Sequence, residues 1–204
     1  MTLSPSDSQY WRNAYAEASQ GWEIGRAAPP LARWFREHSP AGRRALVVGC
    51  GRGHEARMLA AGGADVVAID FAPEAIAEAT ALAERELTAE ECTRLEFRLR
   101  DLFALRADPE RYQLVVEHCC FCAIDPARRA EYVDVMADVL VDGGELVALL
   151  RTRCTKPNGP PFAVAAEEMA RLFERRFVLT HTGVPEDSIE ARRGTELLVH
   201  MTRR

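Results

Sequence analysis

A chain of 204 residues with 48% hydrophobic content can bury one sizeable core and is short for two ordinary domains, so a single domain spanning residues 1–204 is expected. The formal charge of −5 argues against a nucleic-acid footprint, which needs a basic face. The start, MTLSPSDSQYWRNAY, has neither the basic cap nor the apolar stretch of a signal peptide, and no segment approaches a membrane span. A cytoplasmic chain without nucleic-acid or membrane partners is therefore expected, with its six cysteines as reduced thiols rather than a disulfide framework.

Residues 1–40 carry all three tryptophans, Trp11, Trp22 and Trp34, and are expected to form a helical lid ahead of an α/β core over 41–204. ALVV (45–48) reads as a strand buried on both faces and HEARMLAAG as a helix. DVVAID (65–70) is a second such strand, and PEAIAEATALAEREL is a helix opened by Pro73 in its first turn. The alternation continues through RLEFRL, QLVVEHCC, a helix in PARRAEYVDVMADVL, a turn at Asp142-Gly143-Gly144 and the strand ELVALLR. Beyond the loop TKPNGPPF come a helix in VAAEEMARLFERRF and two late strands, FVLTHTG and TELLVHMT. This pattern predicts a three-layer, doubly wound, Rossmann-like sheet, mainly parallel, whose last two strands pair antiparallel because only a loop joins them.

The first strand runs into Gly49-x-Gly51-x-Gly53, and the second ends at Asp70. In a doubly wound sheet such a loop lets backbone approach a ligand at the carboxyl ends of the strands, and an acid at the end of the next strand can accept hydrogen bonds from both ribose hydroxyls. A tight turn without a ligand is the bland alternative for the glycines alone. A nicotinamide site usually reads GxGxxG, and here His54 stands where its third glycine would fall, which favours S-adenosylmethionine. Asp101 and Leu102 after the third strand can cap an adenine, and Glu117-His118 ends the fourth. The run Cys119-Cys120-Phe121-Cys122 invites a metal, yet consecutive strand residues point to opposite faces, so core packing is the expectation and no metal site. The remaining histidines, His38, His54, His181 and His200, read as structural.

The blocks YWRNAYAEASQGWEIGRAAPPL, LVVGCGRGHEARMLAAGGADVVAIDFAPEAI, VVEHCCFCAID, VDGGELVALL, GPPFAVAAEEM and EARRGTELL occur in that order from Tyr10 to Leu198. In this the chain resembles the thiopurine S-methyltransferase family, particularly its halide and thiol methyltransferase branch. The resemblance implies a class I enzyme that moves a methyl group from S-adenosylmethionine to a small thiol, leaving S-adenosylhomocysteine. It also implies that Trp11, Tyr15 and Trp22 close over the cofactor, although their spacing would equally suit the buried stripe of one amphipathic helix. Gly49, Gly51 and Gly53 match the methionine-side loop, Asp70 the ribose acid, Asp101 with Leu102 the adenine contacts, and Phe71 is a further expected cofactor-binding residue. Glu117 and His118 complete the cofactor side, Glu117 either touching the cofactor or orienting a backbone amide. Arg192 and Arg193, with Pro161 and Phe162 of the GPPF block, fall near the substrate.

His118 departs from the family's usual tyrosine or arginine. It is expected either to act as general base for alkyl thiols, imidazole being matched to a thiol of pKa near 8.5, or to pack on the cofactor. The partner is a small thiol or another soft anion and the chain a monomer. A module that binds the cofactor without turnover and an NAD-dependent reductase are the competing readings.

Overall fold

The computed structural model describes residues 4–17, 21–154 and 159–204. Two helices come first, α1 (Ser8–Ala16) and α2 (Pro29–Glu37), followed by β1 (Arg44–Val48), α3 (His54–Ala61), β2 (Asp65–Asp70), α4 (Pro73–Glu86), the single turn α5 (Ala89–Cys92) and β3 (Leu95–Leu99). The second half holds β4 (Tyr112–His118), α6 (Cys120–Ala123), α7 (Arg129–Val139), β5 (Leu140–Arg151), α8 (Ala166–Phe173), β6 (Phe177–Gly183) and β7 (Glu196–Arg203). The seven strands lie in the order β3-β2-β1-β4-β5-β7-β6. Strands β1 to β5 pair in parallel, and β7 is antiparallel both to β5 and to β6, the latter as expected for two late strands joined by a loop.

Alternation along the central strands explains why each is apolar throughout. In β1, Leu46 and Val48 point to one face of the sheet and Ala45 and Val47 to the other. The first face packs against Phe121, Tyr132 and Met136, and Phe173 of α8 stacks edge-on with Phe121 at 5.5 Å. The second packs against Leu31, Trp34 and Phe35 of α2 and Leu59 of α3. Each such Leu, Ile, Val or Phe contributes roughly 1.5–3 kcal/mol by leaving water, so helices on both faces are needed to cover the sheet.

Some expectations need correction. QLVVEHCC is not strand to its end: β4 stops at His118, and Cys119 turns the chain with φ 60° into the short helix α6. Cys119 and Cys120 therefore do not alternate across a sheet. The turn at Asp142-Gly143-Gly144 is absorbed into β5 as a bulge, since Leu140 pairs with Tyr112 and Glu145 with Leu114. Trp34 belongs to the core rather than to a cover, stacked on His38 at 4.0 Å. Part of TKPNGPPF, residues 155–158, lies outside the described residues.

Candidate functional site

A cavity of about 420 Å³ opens at the carboxyl ends of β1, β2, β4 and β5, within the size range of small-molecule sites. The sheet order reverses between β1 and β4, so this is the crevice where doubly wound sheets bind ligands. Its floor is the turn after β1. Gly49 and Gly51 take φ of 58° and 52°, a conformation that L side chains rarely adopt, and this leaves their backbone open to the cavity. Asp70 closes β2 with its carboxylate already oriented: Gly51 N donates to Oδ2 and Ala72 N to Oδ1, each at 3.0 Å. A carboxylate offers about four acceptor positions, and the backbone amides of Gly51, Ala72 and Phe71 do not fill them all. Burial pushes the Asp70 carboxyl upward, and the backbone amides only partly offset it.

Aromatic side chains cover this end. Trp11 and Trp22 meet edge to face at 5.3 Å, and Tyr15 meets Trp22 at 6.0 Å. Since α1 ends at Ala16, the three are not one helical stripe, and Trp22 reaches the cluster from the following segment. The Tyr15 hydroxyl lies over Gly51, and burial together with the charge of Asp70 raises its pKa. Phe71, Leu102 and Asp101 line the same cavity; one Asp101 oxygen caps the turn after β3 by accepting from Phe103 N at 2.9 Å.

His118 enters the cavity from the end of β4 with both ring nitrogens engaged. Nδ1 lies 3.0 Å from Glu55 Oε1, and Nε2 lies 2.9 Å from Arg192 Nη1. A guanidinium only donates, so Nε2 accepts and the ring carries its proton on Nδ1, donating to Glu55. Burial alone would depress the imidazole pKa, while Cys119 and Glu55 outweigh it and push the ring upward; the charge of Arg192 opposes that push. Arg192 is itself buried, with Nη1 3.5 Å from Glu196 Oε1 and Nη2 donating to the carbonyl of Trp22. Ala28 N donates to Glu55 at 3.0 Å. One polar chain thus ties the segment before α2 to α3, β4 and β7. His118, Cys119 and Glu196 bring donor atoms within 4.8 Å of one another, and Arg192 supplies the positive charge in that cluster.

The structure separates other expected residues from the cavity. Gly53 serves packing, because a Cβ there would sit 2.7 Å from the Phe97 ring. Arg193 is exposed while Arg192 is 4% exposed, so the inward arginine is Arg192. Pro161 lines the cavity, whereas the Phe162 ring lies against Gly159. Glu117 is wholly buried, is absent from the lining of the cavity, and accepts from Phe121 N at 3.0 Å.

Burial raises the Glu117 carboxyl to about 7 against partial relief from the Phe121 and Cys120 amides. A carboxyl raised in the folded state binds its proton more tightly there, so stability falls as pH rises from about 4.5 to about 7. The slope reaches at most about 1.4 kcal/mol per pH unit. Glu117→Gln is expected to flatten that part of the pH–stability curve; an unchanged slope in urea titrations at pH 4.5 to 7 would refute the assignment.

Sequence reasoning missed Glu55, Arg151 and Arg128, all on the cavity. One signal was present for Glu55: it stands four residues before Leu59, on the face of α3 that the apolar pattern turns inward.

A parallel Rossmann-like sheet with an antiparallel β7, a glycine floor and an acid at the end of β2 defines a class I S-adenosylmethionine-dependent methyltransferase. Residues 6–203 match the thiopurine S-methyltransferase (TPMT) family, and the chain belongs to it. Thiocyanate methyltransferase 1 of Brassica oleracea is 30% identical over 155 residues, covering 76% of this chain and 67% of that protein. Probable thiol methyltransferase 2 of Arabidopsis thaliana is 26% identical over 171 residues, 84% of this chain and 74% of that one. Among solved structures, magnesium protoporphyrin IX methyltransferase of Synechocystis PCC 6803 with bound S-adenosylmethionine superposes with a TM-score of 0.76 at 14% identity. That superposition covers 100% of this chain and 99% of that one and shows the shared fold.

Proposed function

We propose that the chain methylates a small-molecule thiol. The carrying observation is that the two histidines lining the cavity have no free lone pair. His118 is held between Glu55 and Arg192, and His54 between Glu23 at 2.9 Å and Arg57 at 2.8 Å. The one lysine, Lys156, lies outside the described residues. Neither imidazole is therefore free to serve as the base that an amine or catechol acceptor calls for, whereas a thiol of pKa near 8.5 is partly ionised unaided at neutral pH. The names of the relatives, thiol and thiocyanate methyltransferases, support the same class.

S-adenosylmethionine, when bound, supplies a methyl group already made electrophilic by its sulfonium. The residues that would hold it are Gly49 and Gly51 below, Asp70 at the ribose with Phe71 beside it in the chain, Asp101 and Leu102 at the adenine, and Trp11, Tyr15 and Trp22 as a lid. Their task is to align and to dry: aromatic faces favour a neighbouring cation, and excluding water strips the hydration that blunts a thiolate. His118 orients Arg192 and Glu55 across the cavity. We read the chain as a cytoplasmic monomer whose partner is a small molecule rather than nucleic acid or membrane. Its net charge of −5 speaks against a nucleic-acid partner, its described cysteines are free thiols, and no described helix is long and apolar enough to cross a membrane.

The test is a panel of alkyl and aromatic thiols, iodide, thiocyanate, amines, a catechol and RNA, with S-adenosylhomocysteine as the product measured. Thiols are expected to turn over, with kcat/KM for an alkyl thiol rising about tenfold per pH unit up to the pKa of the thiol itself. Turnover of an amine or RNA with silent thiols would overturn the proposal. A His118→Gln loss confined to alkyl thiols near pH 7, recovering as the thiol ionises, would instead make His118 the base.

A further inference from the structure

We propose that the acceptor is a thiol bearing a carboxylate, and that Arg151 binds that carboxylate. The inference rests on the thiol reading above and names the second group of the substrate. Across the sheet, Asp70 ends β2, with β1, β4 and β5 following in order. His118 pairs with Leu149, so Arg151 stands two residues further along β5, at the carboxyl end of the neighbouring strand, and lines the same cavity. It lies beyond His118 from Asp70. If the ribose sits at Asp70 and the reacting sulfur near His118, the β5 side is what remains for the body of the acceptor.

The charge there is unspent. Other arginines on the cavity have carboxylates of their own: Arg52 pairs with Glu78, Arg100 with Asp108, Arg128 with Glu131 and Arg192 with Glu196. Arg26 is exposed to water. Arg151 has no ion pair among the described residues; its Nε is buried with no hydrogen-bond partner, and its Nη2 reaches only the carbonyl of Arg153 at 3.5 Å. The segments outside the described residues, 1–3, 18–20 and 155–158, contain no aspartate or glutamate. Glu196 is the cross-strand neighbour of Arg151, yet its carboxylate faces Arg192.

The backbone of Arg151 is held firmly, its N donating to Cys122 Sγ at 3.0 Å and its carbonyl accepting from Val164 N at 2.9 Å. Arg151 thus carries a guanidinium without a carboxylate of its own among the described residues, and a guanidinium can take a carboxylate through two parallel hydrogen bonds. Cys119, Cys154 and Pro161 line the same cavity and suit the apolar part of such a thiol.

Matched pairs test this: thiophenol against 3-mercaptobenzoate, and propanethiol against 3-mercaptopropionate, with iodide and thiocyanate alongside. The wild-type enzyme is expected to favour the acid of each pair at least tenfold in kcat/KM, mostly through KM, and Arg151→Gln to bring that ratio close to one. Arg151→Glu is expected to reverse the charge preference toward cysteamine. A binding readout separates recognition from turnover: calorimetry with 3-(methylthio)benzoate, in the presence of S-adenosylhomocysteine, is expected to give an affinity at least tenfold weaker in Arg151→Gln. Equal efficiency for both members of a pair, or a preference that Arg151→Gln leaves intact, overturns this inference and spares the thiol reading. Equal losses for iodide and the mercapto acids in Arg151→Gln would also overturn it, assigning Arg151 to a bare anion. Silence of every thiol overturns both.

Discussion

Replacing Arg192 by alanine is expected to cost about 3–5 kcal/mol of folding stability, the usual penalty for leaving a buried charge without its partner. The guanidinium is nearly inaccessible, and so is Glu196, whose carboxylate it faces. Its removal strands that carboxylate, the carbonyl of Trp22 and the lone pair of His118 at once. Urea titrations of Arg192→Met, Glu196→Met and the double variant measure the coupling; the double variant is expected to be far less damaged than the sum of the singles. The deficit also has a pH signature. Removing the guanidinium takes away a charge that opposes protonation of His118, so the ring, already pushed up by Cys119 and Glu55 in the intact protein, is expected to rise further above the unfolded value near 6.5. A group raised on folding contributes stability below its unfolded pKa and loses it as pH rises through the folded one. The variant is therefore expected to be least impaired below pH 6.5 and most impaired in mild alkali. A loss below 1 kcal/mol, flat with pH, would show that the polar chain holds nothing together.

That network marks where sequence reading stops. The frame was legible because local patterns specify it: ALVV (45–48) and VVAI (66–69) are apolar at every position, which only a strand covered on both faces tolerates, and the glycines and Asp70 mark the crevice by their place in the chain. The contacts that tune the site join residues far apart. His118 meets Glu55 across 63 positions and Arg192 across 74, and nothing local to an imidazole tells which nitrogen will be taken. Cys119 was missed for a different reason. A non-glycine residue at φ 60° carries no sequence mark, and such strained turns persist only where the surroundings hold them, here under Gly49, whose missing Cβ leaves room for Cys120. Trp34 misled because a tryptophan near the start of a chain reads alike whether it covers a ligand or fills a core.

Asp70→Ala is expected to weaken S-adenosylhomocysteine binding by about 1–3 kcal/mol, or roughly 5- to 150-fold, the range for losing a buried charge-assisted acceptor. The substitution has two effects, because the carboxylate also receives the amides of Gly51 and Ala72 and so shapes the loop beneath the ligand. Ligand analogues separate them. Against the wild type, the 2′-deoxy and 3′-deoxy forms of S-adenosylhomocysteine each lose a hydroxyl that Asp70 would accept, and each is expected to bind less tightly. Against Asp70→Ala the parent and deoxy forms are expected to bind alike, since the acceptor is already gone. If the loop were the whole effect, the deoxy penalty would persist undiminished in the variant, and the ribose contact would have to be moved elsewhere. The pH dependence has a fixed sign as well. Burial raises the Asp70 carboxyl, and hydroxyl donors favour its ionised form, so affinity for the parent ligand is expected to rise as pH climbs through that raised pKa. In Asp70→Ala that rise is expected to vanish, and calorimetry across pH 4.5 to 7.5 reads both curves directly.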